Sequence, residues 1–139
     1  MGALVILRLP WRYGPVAYEA GPVVISATKF TYKRFRDLPA VAVAASGLLR
    51  GWRTRPGAIG VIVGGEPRKR VTYSVSVWAH EDDLRRFVRA PDHMPLLRRF
   101  RPRLEASIST VWEADSLVPD EAWREAMRRL ETAGVGGGG

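Results

Sequence analysis

Histidine is the side chain best suited to proton transfer near neutral pH, and this chain of 139 residues has two, His80 and His93. His93 follows Pro91 and Asp92, where proline must interrupt a helix and aspartate can cap a new one. His93, Leu97 and Phe100 then stand at i, i+4 and i+7, so the imidazole shares a face with apolar residues that look toward the core. That placement suits a catalytic general base or a metal ligand in a pocket, and equally a core or helix-capping histidine. His80 precedes the acidic run Glu81, Asp82, Asp83 and reads as structural. No pair of residues has the spacing of a zinc or non-haem iron site, and without cysteine there is no disulfide, thiolate ligand or sulfur nucleophile. No serine sits in a nucleophile elbow, and GVIVGG lacks the following helix that a phosphate loop needs.

Candidates to line a cavity cluster around the same histidine. Trp78 and Trp112 end two predicted strands, and Tyr73, Tyr32 and Phe87 add aromatic surface on which a planar ligand would stack. Ser74, Ser76, Ser109 and Thr110 offer small hydroxyls that leave room for a ligand. Taken singly, each aromatic reads as readily as an ordinary core residue.

These side chains need a framework. Val71–Trp78 alternates Val, Tyr, Val, Val against Thr, Ser, Ser, Trp, the period of two of a half-buried strand. Leu84, Phe87 and Val88 follow at helical spacing behind three acidic residues that favour a helix N-terminus. Upstream, Val23–Phe30 reads as the first core strand, and Asp37 and Pro39 open a helix whose apolar side is Leu38, Val41, Ala42, Ala45, Leu48, Leu49 and Trp52. Residues 57–78 read as a β-hairpin turning at Gly64–Pro67, and Leu104–Ala114 as a fourth strand with Ala106, Ile108, Thr110 and Trp112 on one side. Residues 3–9 are an optional extra strand, and residues 10–22 a loop whose Trp11, Tyr13 and Tyr18 pack onto the body or cover a pocket mouth. Pro119 and Asp120 start a terminal helix with a stripe of Ala122, Trp123, Ala126, Met127 and Leu130. The expectation is one domain over residues 1–132, with its core at about 23–115 and a disordered glycine-rich tail at 133–139.

The net charge is +8, which raises nucleic acid as a partner. The basic residues are scattered arginines, however, and neither a helix-turn-helix signature nor a lysine-rich arm accompanies them. The densest group, Arg98, Arg99, Arg101 and Arg103, reads as a solvated helix end or an anchor for an anionic small molecule. The opening ALVIL is too short for a signal peptide core or a membrane span, so no membrane association and a cytoplasmic location are expected.

Strand, helix, strand, strand, helix, strand is the split βαβ order of a ferredoxin-like α+β fold: a four-stranded antiparallel sheet with both helices on one face. The other face is then bare, which predicts cover by a second copy's sheet and by the C-terminal helix, hence a homodimer. The stretch SVSVWAHEDDLRRFVRAPDHMPLLRRF, followed by ISTVWEAD, resembles the dimeric α+β barrel superfamily, in particular its antibiotic-biosynthesis-monooxygenase-like and spheroidene-monooxygenase-like groups. The resemblance covers about residues 23–115, most sharply 74–113. It matches Trp78 to the strand-end tryptophan and His93 to the helix histidine of those proteins.

What this implies is a small homodimeric enzyme of bacterial secondary metabolism acting on an aromatic or polyketide-like molecule. The reaction is a monooxygenase-like oxidation or an acid/base rearrangement, with His93 moving the proton and Trp78, Ser74, Ser76, Tyr73, Trp112 and Phe87 holding the substrate. No cofactor is the first expectation, and haem on His93 the alternative. Leu97 occupies the place of the proximal histidine of haem-degrading relatives, and the chain has no asparagine to match that of the oxygenase pockets. A third reading, a non-catalytic dimer binding a ligand or nucleic acid, lies outside the enzymes altogether.

Overall fold

The computed structural model describes residues 6–136. Its centre is the hairpin of β4 (Ala58–Glu66) and β5 (Val71–Trp78), joined by a tight turn in which Arg70 takes the left-handed conformation. Strand β3 (Val23–Tyr32) pairs antiparallel with β5 on one side and with β6 (Leu104–Ala114) on the other, giving the order β4-β5-β3-β6. With the helix α1 (Leu38–Arg50) after β3, and α2 (Glu81–Val88) with α3 (Met94–Phe100) after β5, the connectivity is the split βαβ of a ferredoxin-like fold. The sheet nevertheless has six strands rather than the expected four. Two short opening strands, β1 (Leu7–Arg8) and β2 (Arg12–Tyr13), pair with the outer edge of β4. Residues 3–5 of the predicted extra strand lie outside the described residues.

Alternation sorts the sheet into two faces. One carries Val23, Ile25, Ala27, Val71, Tyr73, Val75, Val77 and Ile62, and the terminal helix α4 (Pro119–Gly136) closes it with Ala122, Trp123, Ala126 and Leu130. Two glycines of β4 make this fit possible. A Cβ on Gly60 would lie 1.8 Å from the Trp11 ring, and one on Gly64 would lie 2.9 Å from the Trp123 ring and 2.4 Å from the Leu7 carbonyl oxygen. The Arg8 guanidinium lies 5.5 Å over Trp123, and Tyr18 donates to the Gly21 carbonyl while accepting from the Leu117 amide. The face expected to be covered by the C-terminal helix and a second copy's sheet carries that helix, together with the opening loop. Trp11 and Tyr18 serve as packing, while Tyr13 stays exposed.

The opposite face carries Val24, Ser26, Thr28, Ser74, Ser76, Trp78, Val61, Ser109 and Val111. Only one end of it is closed. There Leu49, the turn residue Trp52 and Leu84 cover Val24, Ala58, Val61 and Trp78. Of the apolar side predicted for α1, Leu49 is buried within the helix and Trp52 just past its end, while Leu38, Val41, Ala45 and Leu48 are half-buried and Ala42 is exposed.

Three local expectations change. Asp37 lies in a 3-10 turn ahead of α1 and makes no side-chain cap; its carboxylate instead accepts from Arg103 at 3.0 Å, tying α1 to the start of β6. Asp92 does not cap α3 either, because His93 holds the capping position without a side-chain bond. Helix α4 continues to Gly136, so residues 133–136, predicted as part of a disordered tail, are helical.

Candidate functional site

The open half of the sheet face and the α2–α3 elbow flank an open cavity of about 640 Å³. Its floor comes from three strands. Thr28 pairs in register with Ser74 on one side and Ser109 on the other, and Ser26 pairs with Ser76 and Val111. Small hydroxyls therefore stand in rows across β5, β3 and β6, about 4.8 Å apart from strand to strand. The Thr28 and Ser109 hydroxyls are 3.3 Å apart, and Ser76 accepts the Trp78 indole N–H at 2.8 Å, which leaves the Ser76 proton free to donate.

The roof is Leu84, Phe87, Val88, His93, Leu97 and Arg101. Pro91 sets it: α2 stops at Val88, and a turn restarts the helix at Met94, so the chain folds back with His93 at the elbow. His93 Nδ1 lies 3.2 Å from the Val88 carbonyl oxygen. A carbonyl can only accept, so Nδ1 bears the proton and Nε2 of the neutral ring keeps its lone pair. Burial pushes the His93 pKa below its ordinary value; the nearby Arg55 cation acts in the same direction, while the Val88 bond and Asp92 oppose it. The imidazole is thus held neutral, in one tautomer, on the wall of a cavity.

Behind it stands an aromatic stack. The Phe87 and His93 rings are 4.2 Å apart, and Phe87 meets Trp52 and Trp78 at 5.3 Å and 5.2 Å. Arg55 caps the far side with its guanidinium 4.8 Å over Phe87 and pairs with Asp92, Nη1 to Oδ1 at 3.0 Å. The hydrogen bond from Arg55 pulls the Asp92 pKa down, keeping the pair ionised. This latch joins the turn before β4 to the residue next to His93.

Of the residues predicted to hold a substrate, Ser74, Ser76 and Phe87 line the cavity with His93, and Ser109 joins them. Trp78 does not. It shares their side of β5 but is 0% exposed, sealed under Trp52 and Phe87 as part of the core. Tyr73 and Trp112 have the opposite parity and face α4. Tyr73 donates to buried Glu66 at 2.7 Å, and burial together with that carboxylate pushes its pKa up, so the phenol stays protonated. Trp112 lies 4.5 Å beneath the Arg129 guanidinium, and Thr110 shares its side of β6. Tyr32, beyond a bulge in β3, is buried and accepts a 3.4 Å hydrogen bond from Thr72. His80 is exposed at the N-cap of α2.

Sequence reasoning missed Ser26 and Thr28, although their alternation with Val23, Ile25 and Ala27 was there to read. It treated Arg101 only as one of a basic group. Yet His93, Leu97 and Arg101 are i, i+4 and i+8, and all three line the cavity.

The residues present fit a haem in one respect: a ligating histidine usually donates its other ring nitrogen to a carbonyl, as His93 does to Val88. Among the described residues no group of three or more His, Cys, Asp or Glu is placed to hold a metal ion, and no helix is long and apolar enough to cross a membrane.

Solved structures share this architecture. A dimeric ferredoxin-like protein of unknown function from Thermobifida fusca YX superposes with a TM-score of 0.59 at 17% identity, over 73% of this chain and 100% of that one. A heme-degrading enzyme from Listeria monocytogenes gives 0.59 at 13% identity, over 76% and 68%. An antibiotic biosynthesis monooxygenase gives 0.57 at 11% identity, over 68% and 99%. At such identities the likeness carries the fold alone: the chain has a ferredoxin-like α+β architecture. No protein-family model matches the sequence, and no curated protein does.

Proposed function

We propose that the chain is a small-molecule enzyme that removes a proton from a planar aromatic or polyketide-like substrate bound between the sheet and the α2–α3 elbow. The observation that carries this reading is His93: half-buried, held neutral, its tautomer fixed by Val88 O, on the wall of a 640 Å³ cavity floored by hydroxyls. Cavities of this size suit small ligands. Nε2 takes the proton of an acidic C–H or O–H, and floor hydroxyls donate to the oxygen that becomes negative. The resulting enolate is either reprotonated elsewhere, which is a rearrangement, or oxidised by dioxygen, which is the monooxygenase-like outcome. The working unit is a homodimer, a reading supported by the dimeric neighbour and the exposed apolar residues Phe35 and Val43.

The test is deuterium uptake from D2O at the acidic benzylic carbon of a polycyclic aromatic ketone. His93→Ala should slow exchange about 100-fold, the usual scale for a lost general base. An unchanged rate would remove His93 from the chemistry. A second reading, haem held by His93, rests on the Nδ1 bond to Val88 O; bound haem would supply redox chemistry, with the elbow fixing the ligand and the floor excluding water. A Soret band after haem addition, lost in His93→Ala, supports it, and its absence rules it out.

A further inference from the structure

The cavity roof has a cation at one end. His93 at the N-cap of α3, Leu97 within it and Arg101 at its C-cap stand at i, i+4 and i+8, a helical rise of about 12 Å from the histidine to the arginine. Arg101 makes no ion pair among the described residues, although Glu105 also lines the cavity. Of its neighbours in the basic group, Arg103 binds Asp37 and Arg99 lies 4.9 Å over the Phe100 ring, while Arg98 does not line the cavity. Leu97 supplies apolar surface between the two polar ends, and Leu84, Phe87, Val88 and Val111 add more.

We infer that the ligand is an elongated aromatic monoanion, its ionisable O–H or C–H at His93 and its carboxylate at Arg101, with the apolar body between them against Leu97 and over the hydroxyl floor. A guanidinium suits this role because its planar donors match the two carboxylate oxygens, which sets the direction in which the ligand lies. Orientation is what His93 needs, since a base works only on the atom presented to it. This assignment rests on the cavity being the binding site, and it adds the charge and the span of what binds.

A biphenyl with a para hydroxyl on one ring and a para carboxylate on the other has about this span, and its neutral carboxamide is the matched control. Calorimetric titration of the full chain should favour the acid over the amide by about tenfold, a typical worth for a charge-assisted pair. Arg101→Gln should abolish that preference by weakening the acid far more than the amide. His93→Gln should weaken both compounds alike. Equal binding of acid and amide to the wild-type chain, weakened by His93→Gln, would overturn the anion assignment and keep the cavity. A preference that survives Arg101→Gln would also overturn the assignment. Binding of neither compound would overturn the assignment and the cavity reading together.

Discussion

At the scale of single residues the environment of His93 makes a pH-dependent claim. An unfolded chain takes up a proton at this ring as the pH falls through about 6.5, whereas the folded chain, holding the ring buried, takes it up only at lower pH. The folded state is therefore at no disadvantage above that value and loses stability as the pH drops through the window between the two midpoints. Denaturant unfolding at pH 7 and pH 5 should show the loss, and His93→Gln should reduce it; equal pH dependence in both proteins would contradict the burial. Trp78 belongs to this scale too. A fully buried indole in contact with Trp52 and Phe87 should cost about 3–5 kcal/mol when cut to alanine, read from the same unfolding curves. A loss below about 1 kcal/mol would mean that the ring is not in the core. The sequence showed that Trp78, Ser74 and Ser76 share a face. It did not show that Trp52, read as part of the apolar side of α1 but lying in the turn after it, shuts the tryptophan away while the serines stay open.

At the scale of elements, the fit of α4 to the sheet depends on absent side chains. Gly64→Val should drive its branched carbons into the Trp123 ring and the Leu7 carbonyl, destabilising the fold by about 1–3 kcal/mol. A wild-type melting temperature in that variant would show that α4 does not seat there. Strand alternation and the amphipathic stripe of α4 were legible from the order of residues alone, because burial on one face imposes periods of 2 and 3.6. Which layer covers which face was not legible, because periodicity says that a stripe needs a partner without naming it. Connectivity supplied part of the answer, a face for α4 that it was expected to share with a second copy's sheet, but residue order did not show that Trp11 and Tyr18 of the opening loop fill it alongside the helix. The capping roles of Asp37 and Asp92 failed for a related reason: each sits beside an arginine distant in sequence, Arg103 or Arg55, whose pull the local pattern does not reveal.

At the scale of the whole molecule, one sheet face is spent on stability and the other on a cavity, with the α2–α3 elbow braced by the pairing of Arg55 and Asp92. Light scattering at micromolar concentration should return twice the 15.5 kDa chain mass, and a monomer would refute the homodimer. The central claim is that small molecules bind at His93, and the chain's two histidines make it directly testable. With nitrogen-labelled histidine, NMR spectra should show one ring, His93, protonated at Nδ1 at pH 7, and His80→Gln identifies the other. Adding the hydroxylated biphenyl carboxylate should shift the His93 Nε2 resonance and leave His80 in place. A Nε2 signal that does not move at saturating ligand would contradict the account.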